Sequence, residues 1–252
     1  MTLLLKSDKS VGEPASLSLK SAQTDQYNTV YAGHKSIINF IDLPASLADA
    51  ANIDDVFLLG KKSTVSGAQT NITTNKGVSF VDNATDKAIL LPDFFDLSKY
   101  AVGDNILMCF WVKVLTLGAG TRAIAGYRYS SNINWTAYLT SAGSVGFQVS
   151  ALQVNNAAQV TLNQSFLLSI HIRITSTGYD IVTFKNKEQT NAGTTTGAIP
   201  IPTASSPRIG KIDGMNSAGF ICHRAFLRKF DSSKTTAAAI ASDEYDKFFS
   251  KL

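Results

Sequence analysis

Glutamate is nearly absent from this 252-residue chain. It occurs three times, as Glu13, Glu188 and Glu244, each isolated in sequence. Glycoside cleavage by a retaining route needs two carboxyl groups about 5 Å apart across the sugar bond, and no strand here carries such a pair. Histidine also occurs three times, and no two of His34, His171 and His223 share a metal-ligand spacing on one element. His171 on the polar face of a strand and His223 beside Arg224 both read as solvated side chains. Only 17% of residues are charged, the formal charge is +4, and no run of Lys or Arg occurs. Nucleic-acid binding needs a clustered basic stripe, so that class is set aside. No segment approaches the roughly 18 apolar residues of a membrane span. The start, Met1 to Lys6, lacks the basic opening and long apolar run of a secretion signal. A reducing cytoplasm is therefore expected, with the two cysteines, Cys109 and Cys222, as buried thiols. The chain also has no phosphate-binding loop, no Cys-x2-Cys, no His-Glu-x2-His and no nucleophile elbow.

What the chain does have is alternation. Phe166, Leu168, Ile170, Ile172 and Ile174 share one parity, while Ser169, His171 and Arg173 share the other. That is the period of a strand with one face in a core. Tyr179–Phe184 follows Gly178 as a hairpin partner. Similar strands are expected over 77–82, 87–92, 105–115, 121–129, 134–140, 144–150, 158–162, 207–212 and 219–229, separated by turn residues. Many short strands of this kind predict an all-β, two-sheet antiparallel sandwich. Residues 194–203 read as a proline-punctuated loop between sheets. An Ala-rich segment ending Glu244-Tyr-Asp-Lys-Phe-Phe249 predicts a short C-terminal helix. Upstream, residues 1–35 are polar and aperiodic, with one strand candidate at Leu17 and Leu19, and read as an arm ordered by docking. Pro44 to Ala51 reads as a short helix and Val56 to Leu59 as a buried strand.

The order Arg208-Ile-Gly-Lys211, Gly219-Phe-Ile-Cys-His-Arg-Ala-Phe-Leu227 and closing helix resembles the C-terminal end of laminin-G-like, concanavalin-A-type jelly rolls. Gly77–Phe80, Ile89–Pro92 and Ile106–Lys113 look like that family's opening strands. The resemblance is one of pattern and implies a jelly-roll domain over 76–252, with 1–75 as N-terminal arm and lead-in. It also implies binding rather than catalysis, so the chain is expected not to be an enzyme. Calcium is an implied cofactor, with Asp82, Asn83 and Asp213 as available oxygen donors and Asp86 nearby. Against that, Cys222 stands where relatives often place an acid.

The most ligand-like stretch is Tyr127 to Tyr138. Sugars stack on flat aromatics while amides and guanidinium groups take their hydroxyls. Trp135 shares a parity with Ala137 and Leu139 and is assigned to the core, leaving Tyr127, Arg128, Tyr129, Asn132 and Asn134 as exposed candidates. The overall style resembles bacteriophage tail, fibre or decoration proteins that carry such modules. It implies a structural or attachment component of a virion, made in the host cytoplasm. Its expected partners are copies of itself, other virion proteins and a host surface glycan. The alternative is a free carbohydrate-binding lectin. A glycoside hydrolase or lyase is a third class, disfavoured by the missing carboxylate pair.

Overall fold

A computed structural model describes residues 34–41, 43–56, 62–72 and 76–252. The arm, up to Gly33, and residues 57–59 of the expected buried strand lie outside the described residues.

Two antiparallel sheets face each other. The first contains β1 (His34–Asn39), β2 (Ser46–Leu47), β5 (Gln69–Ile72), β6 (Gly77–Phe80) and β8 (Asn105–Thr116). It is completed by β13 (Ser165–Ile174), β14 (Gly178–Lys185), β15 (Glu188–Thr196) and β17 (Gly219–Phe230). Its order is β15-β14-β13-β8-β17-β6-β5-β2, with β1 also paired to β17. The second contains β3 (Asn52–Asp54), β4 (Lys62–Ser66), β7 (Ala88–Leu90) and β9 (Arg122–Tyr129). To these it adds β10 (Asn132–Leu139), β11 (Ser144–Val149), β12 (Leu152–Gln159) and β16 (Arg208–Gly210), in the order β12-β11-β10-β9-β16-β7-β4-β3. The predicted all-β two-sheet sandwich is what the chain forms.

Alternation explains the core. Phe166, Leu168, Ile170 and Ile172 point between the sheets with Met108, Phe110 and Val112 of β8. Across the gap Phe110 packs on Trp135 at 5.8 Å between ring centroids, and Trp135 on Phe147 at 6.2 Å. Trp135 is therefore core, as its parity predicts. The other parity of β8 and β17 is also largely buried, with Lys113 and Arg228 reaching its edge. It is covered by α1 (Ala237–Phe248), capped by Thr236, whose side chain accepts from the Ala239 N–H at 3.1 Å. Ala237, Ile240, Ala241, Glu244 and Phe248 form the buried stripe of α1, at helical spacing.

The two cysteines are free and buried on opposite faces of the first sheet. Cys222 belongs to the inter-sheet core, whereas Cys109 lies on the helix side, 3.1 Å from the Ser169 hydroxyl.

Three elements depart from the expectation. The helix over 44–51 does not form. The Ala50 N–H instead donates to the Val65 carbonyl at 2.9 Å, the Val65 N–H returns to Ala51 at 2.8 Å, and Ser46–Leu47 pairs with β5. Helix propensity is a weak preference, and these pairings outweigh it. The strand expected at 158–162 runs instead over Leu152–Gln159, because Val154 reaches the core while Asn155 and Asn156 only imitate a turn. β15 extends into the expected loop at 194–203. It carries no large apolar side chain, as suits an edge strand, and is tied to β12 by Asn191, whose Nδ2 donates to the Asn155 carbonyl at 2.6 Å.

The sandwich also reaches upstream of residue 76. Strands β1 to β5 lie within 34–72 and join both sheets, β1 along β17 and β4 along β7. Their shortness and polar interruptions hid them in a segment expected to be a lead-in.

Candidate functional site

β9 and β10 are joined by the two-residue turn Ser130–Ser131, which sets Tyr129 opposite Asn132. Ser130 has φ +53°, a left-handed conformation that a serine keeps only when held. Asp213 holds it: one carboxylate oxygen accepts from the Ser130 N–H at 2.7 Å. The Arg128 guanidinium donates to the Ser130 carbonyl at 3.3 Å and lies beside Gly214, where a Cβ would come within 3.4 Å of it. The tip is thus braced from outside by the turn Ile212–Met215, closed by backbone bonds of 3.1 and 3.2 Å. On it Tyr129 is 42% exposed, and Asn132 is exposed.

Two of the five residues expected to be exposed are buried. Tyr127 is 7% exposed and belongs to the inter-sheet core, with its hydroxyl donating to the Pro202 carbonyl at 2.7 Å. It shares the inward parity of Ala125, and burial raises its pKa. Asn134 is wholly buried. A register shift between Ile133 and Trp135 marks its position on β10. Its oxygen accepts from the Leu97 N–H at 2.9 Å, and its nitrogen donates to Asp96 at 3.0 Å and to the Pro200 carbonyl at 2.8 Å. Both residues anchor the loops around the hairpin. The surface that remains is Arg128, Tyr129 and Asn132, with Asp213 as the brace that sequence reasoning had placed elsewhere. A carboxylate 83 positions from Ser130 leaves no local signal.

The oxygen donors considered for calcium are spread over two turns. Asp82 lies 3.4 Å from Arg122 Nε, the Asn83 side-chain oxygen accepts from Asn216 at 2.8 Å, and Asp213 serves the hairpin. Calcium takes about six to eight oxygens. Among the described residues no cluster of three or more His, Cys, Asp or Glu exists. This donor set does not fit the ion.

The histidines expected to be solvated are not. His223 is 1% exposed, its ring nitrogens 3.0 Å from the Ser165 hydroxyl and 3.0 Å from the Lys76 carbonyl. His171 is half-buried against Asn105, because the sheet face that carries it is partly roofed by α1 and its approach.

No protein family matches the chain, and neither does any curated protein. Solved structures do share its shape. A sialidase from Trypanosoma rangeli superposes with TM-score 0.62 at 11% identity, over 91% of this chain and 38% of the sialidase. Botulinum neurotoxin type C, described as depending on two ganglioside molecules to enter cells, gives 0.58 at 9% identity, over 90% of this chain and 52% of the other. The binding domain of botulinum neurotoxin serotype D gives 0.59 at 10% identity, over 86% and 52%. The likeness is one of fold. The chain spans about a third of the sialidase chains and half of the neurotoxin chains. The expectation that the chain is not an enzyme is corrected by the sialidases: this architecture occurs within enzymes, so it does not separate binding from catalysis. Among the described residues no helix is long and apolar enough to cross a membrane.

Proposed function

We propose that this chain is a glycan-binding β-sandwich that contacts sugar through the tip of the β9–β10 hairpin. The observation that carries the reading is an exposed aromatic ring, Tyr129, beside an exposed amide, Asn132, on a turn immobilised by Asp213 and Arg128. An aromatic face takes the apolar side of a pyranose and an amide takes its hydroxyls. Presenting both on a braced turn lowers the ordering entropy lost on binding. The ganglioside dependence of a neurotoxin with this fold supports the glycan as the ligand class.

The finer reading places the domain on a bacteriophage particle as a tail, fibre or decoration component, assembled with copies of itself and with other virion proteins. Its support is compositional: few charges and abundant Ser, Thr and Asn on β-structure. Immunogold labelling of purified particles tests this placement, and particles free of label would remove it.

A glycan array with the parent and with Tyr129→Ala and Asn132→Ala tests the site, run with and without a calcium chelator. The parent should retain a defined set of glycans, and each variant should lose them. Millimolar to micromolar affinity per site is expected, about 4–8 kcal/mol, raised by multivalency on a particle. Equal retention by parent and variants would remove the hairpin as the site. Loss on chelation alone would restore a calcium role outside the donors described above.

A further inference from the structure

A second concave surface lies on the outer face of the first sheet, where α1 begins. Ile170 and Ile172 point inward, so His171 and Arg173 of the same strand point outward, beyond the area that α1 covers. They line a cavity of about 410 Å3 whose apolar part is Val182, Phe184 and Phe230 and whose polar wall is Asn105, His171 and Arg173. Gln189 and Thr235 stand at its rim.

The polar groups fall into two kinds. His171 Nε2 is 3.0 Å from the Asn105 side-chain oxygen, which can only accept, so this nitrogen carries the proton. Burial, helped by Arg173 and opposed by Asp180, lowers the His171 pKa to about 4, and the ring is neutral at pH 7. Phe230 packs against it at 5.3 Å between ring centroids. Arg173, by contrast, is exposed, and no described acid lies within ion-pair distance of it. Asp180 stands opposite Arg173 across the β13–β14 ladder, outside the cavity lining, and accepts from the Thr194 hydroxyl at 2.9 Å, while Asp104 pairs with Lys229 at 2.6 Å. The cavity lining itself therefore carries one cation, neutral hydrogen-bonding groups and the edges of two largely buried aromatic rings.

We infer that this cavity binds a sugar acid, a monosaccharide ring bearing one carboxylate, with Arg173 taking the carboxylate and Val182 with the exposed edge of Phe230 the apolar side of the ring. The guanidinium fork matches a carboxylate through two parallel hydrogen bonds. Asn105, Gln189 and Thr235 suit hydroxyls, and the volume lies at the lower end of the roughly 300–1,000 Å3 of small-ligand pockets, the size of one sugar. A single cation beside a neutral imidazole favours a monoanion over a phosphate. This site is on the other sheet from the hairpin and does not depend on it.

Calorimetric titration of the full chain with methyl glucuronoside, methyl sialoside, methyl glucoside and inorganic phosphate tests the inference. At least one of the two acids should bind, with methyl glucoside about tenfold or more weaker. Arg173→Ala should bring acid binding down to the glucoside level while melting like the parent. Gln189→Ala should weaken both acid and neutral sugar. Tyr129→Ala should leave this binding unchanged, which separates it from the hairpin reading. Equal affinity for acid and neutral sugar, no binding of either acid, displacement of the acid by phosphate, or an unaffected Arg173→Ala would each overturn the inference.

Discussion

His171 shows at the residue scale how burial gives an ordinary side chain a pH dependence. Its pKa falls from 6.5 to about 4. The unfolded chain therefore takes up a proton near pH 6.5 that the folded chain refuses until about pH 4. The His171 contribution to stability is complete above pH 6.5 and is lost as pH falls through that window, by a few kcal/mol at most. His171→Gln should flatten the melting-temperature profile between pH 7 and 4 relative to the parent. A variant with the same acid slope would show that other groups govern it. Asp213 offers a second check at this scale. Asp213→Ala removes the acceptor of the Ser130 N–H at an exposed turn, at a cost of about 1 kcal/mol. The melting temperature should fall by only a few degrees, while glycan retention through the hairpin should fall as the turn loosens.

At the scale of elements, the strongest coupling is between α1 and the outer face of the first sheet. Glu244 and Arg224, 3% and 5% exposed, pair at 3.1 Å, and the same Glu244 oxygen accepts from Trp111 Nε1 at 3.1 Å. Arg224 also lies over the Phe248 ring at 4.7 Å. Burial raises the Glu244 pKa against the pull of Arg224. Glu244→Ala leaves the buried guanidinium without its carboxylate and should cost about 3–5 kcal/mol in urea denaturation. Replacing the pair together, Arg224→Met with Glu244→Leu, should recover most of that loss, because two buried charges bear a desolvation cost that apolar side chains do not. A double variant as unstable as the single one would show that the pair contributes more than its geometry suggests.

For the whole molecule, the placement of the two thiols tests the topology. Cys222 faces the sheet–sheet core and Cys109 the helix, and burial raises the pKa of both. Neither should react with an aromatic disulfide reagent in the native protein, and both should react on unfolding without reductant. Finding no free thiol in the unfolded, unreduced chain would mean a disulfide that this topology forbids.

The sequence by itself determined the two-sheet sandwich, because period-two alternation is a local property and Phe166 to Ile172 could face a core in only one way. It also determined Trp135 as core and the C-terminal helix, whose Thr cap and spacing are contiguous. Only the tertiary structure decided the rest. Strands β1 to β5 and β15 carry too little alternation to announce themselves: β1 pairs with β17, far along the chain, and β15 is the polar return strand of a hairpin with β14. The proposed ligand surface was half legible for a related reason. Tyr129 and Asn132 flank a turn visible in sequence, but a register shift beside Asn134 and a core place for Tyr127 turned two polar-looking residues inward. The brace on Ser130 and the cavity beside His171 depend on groups far apart in the chain, and only the packed sandwich brings those groups together.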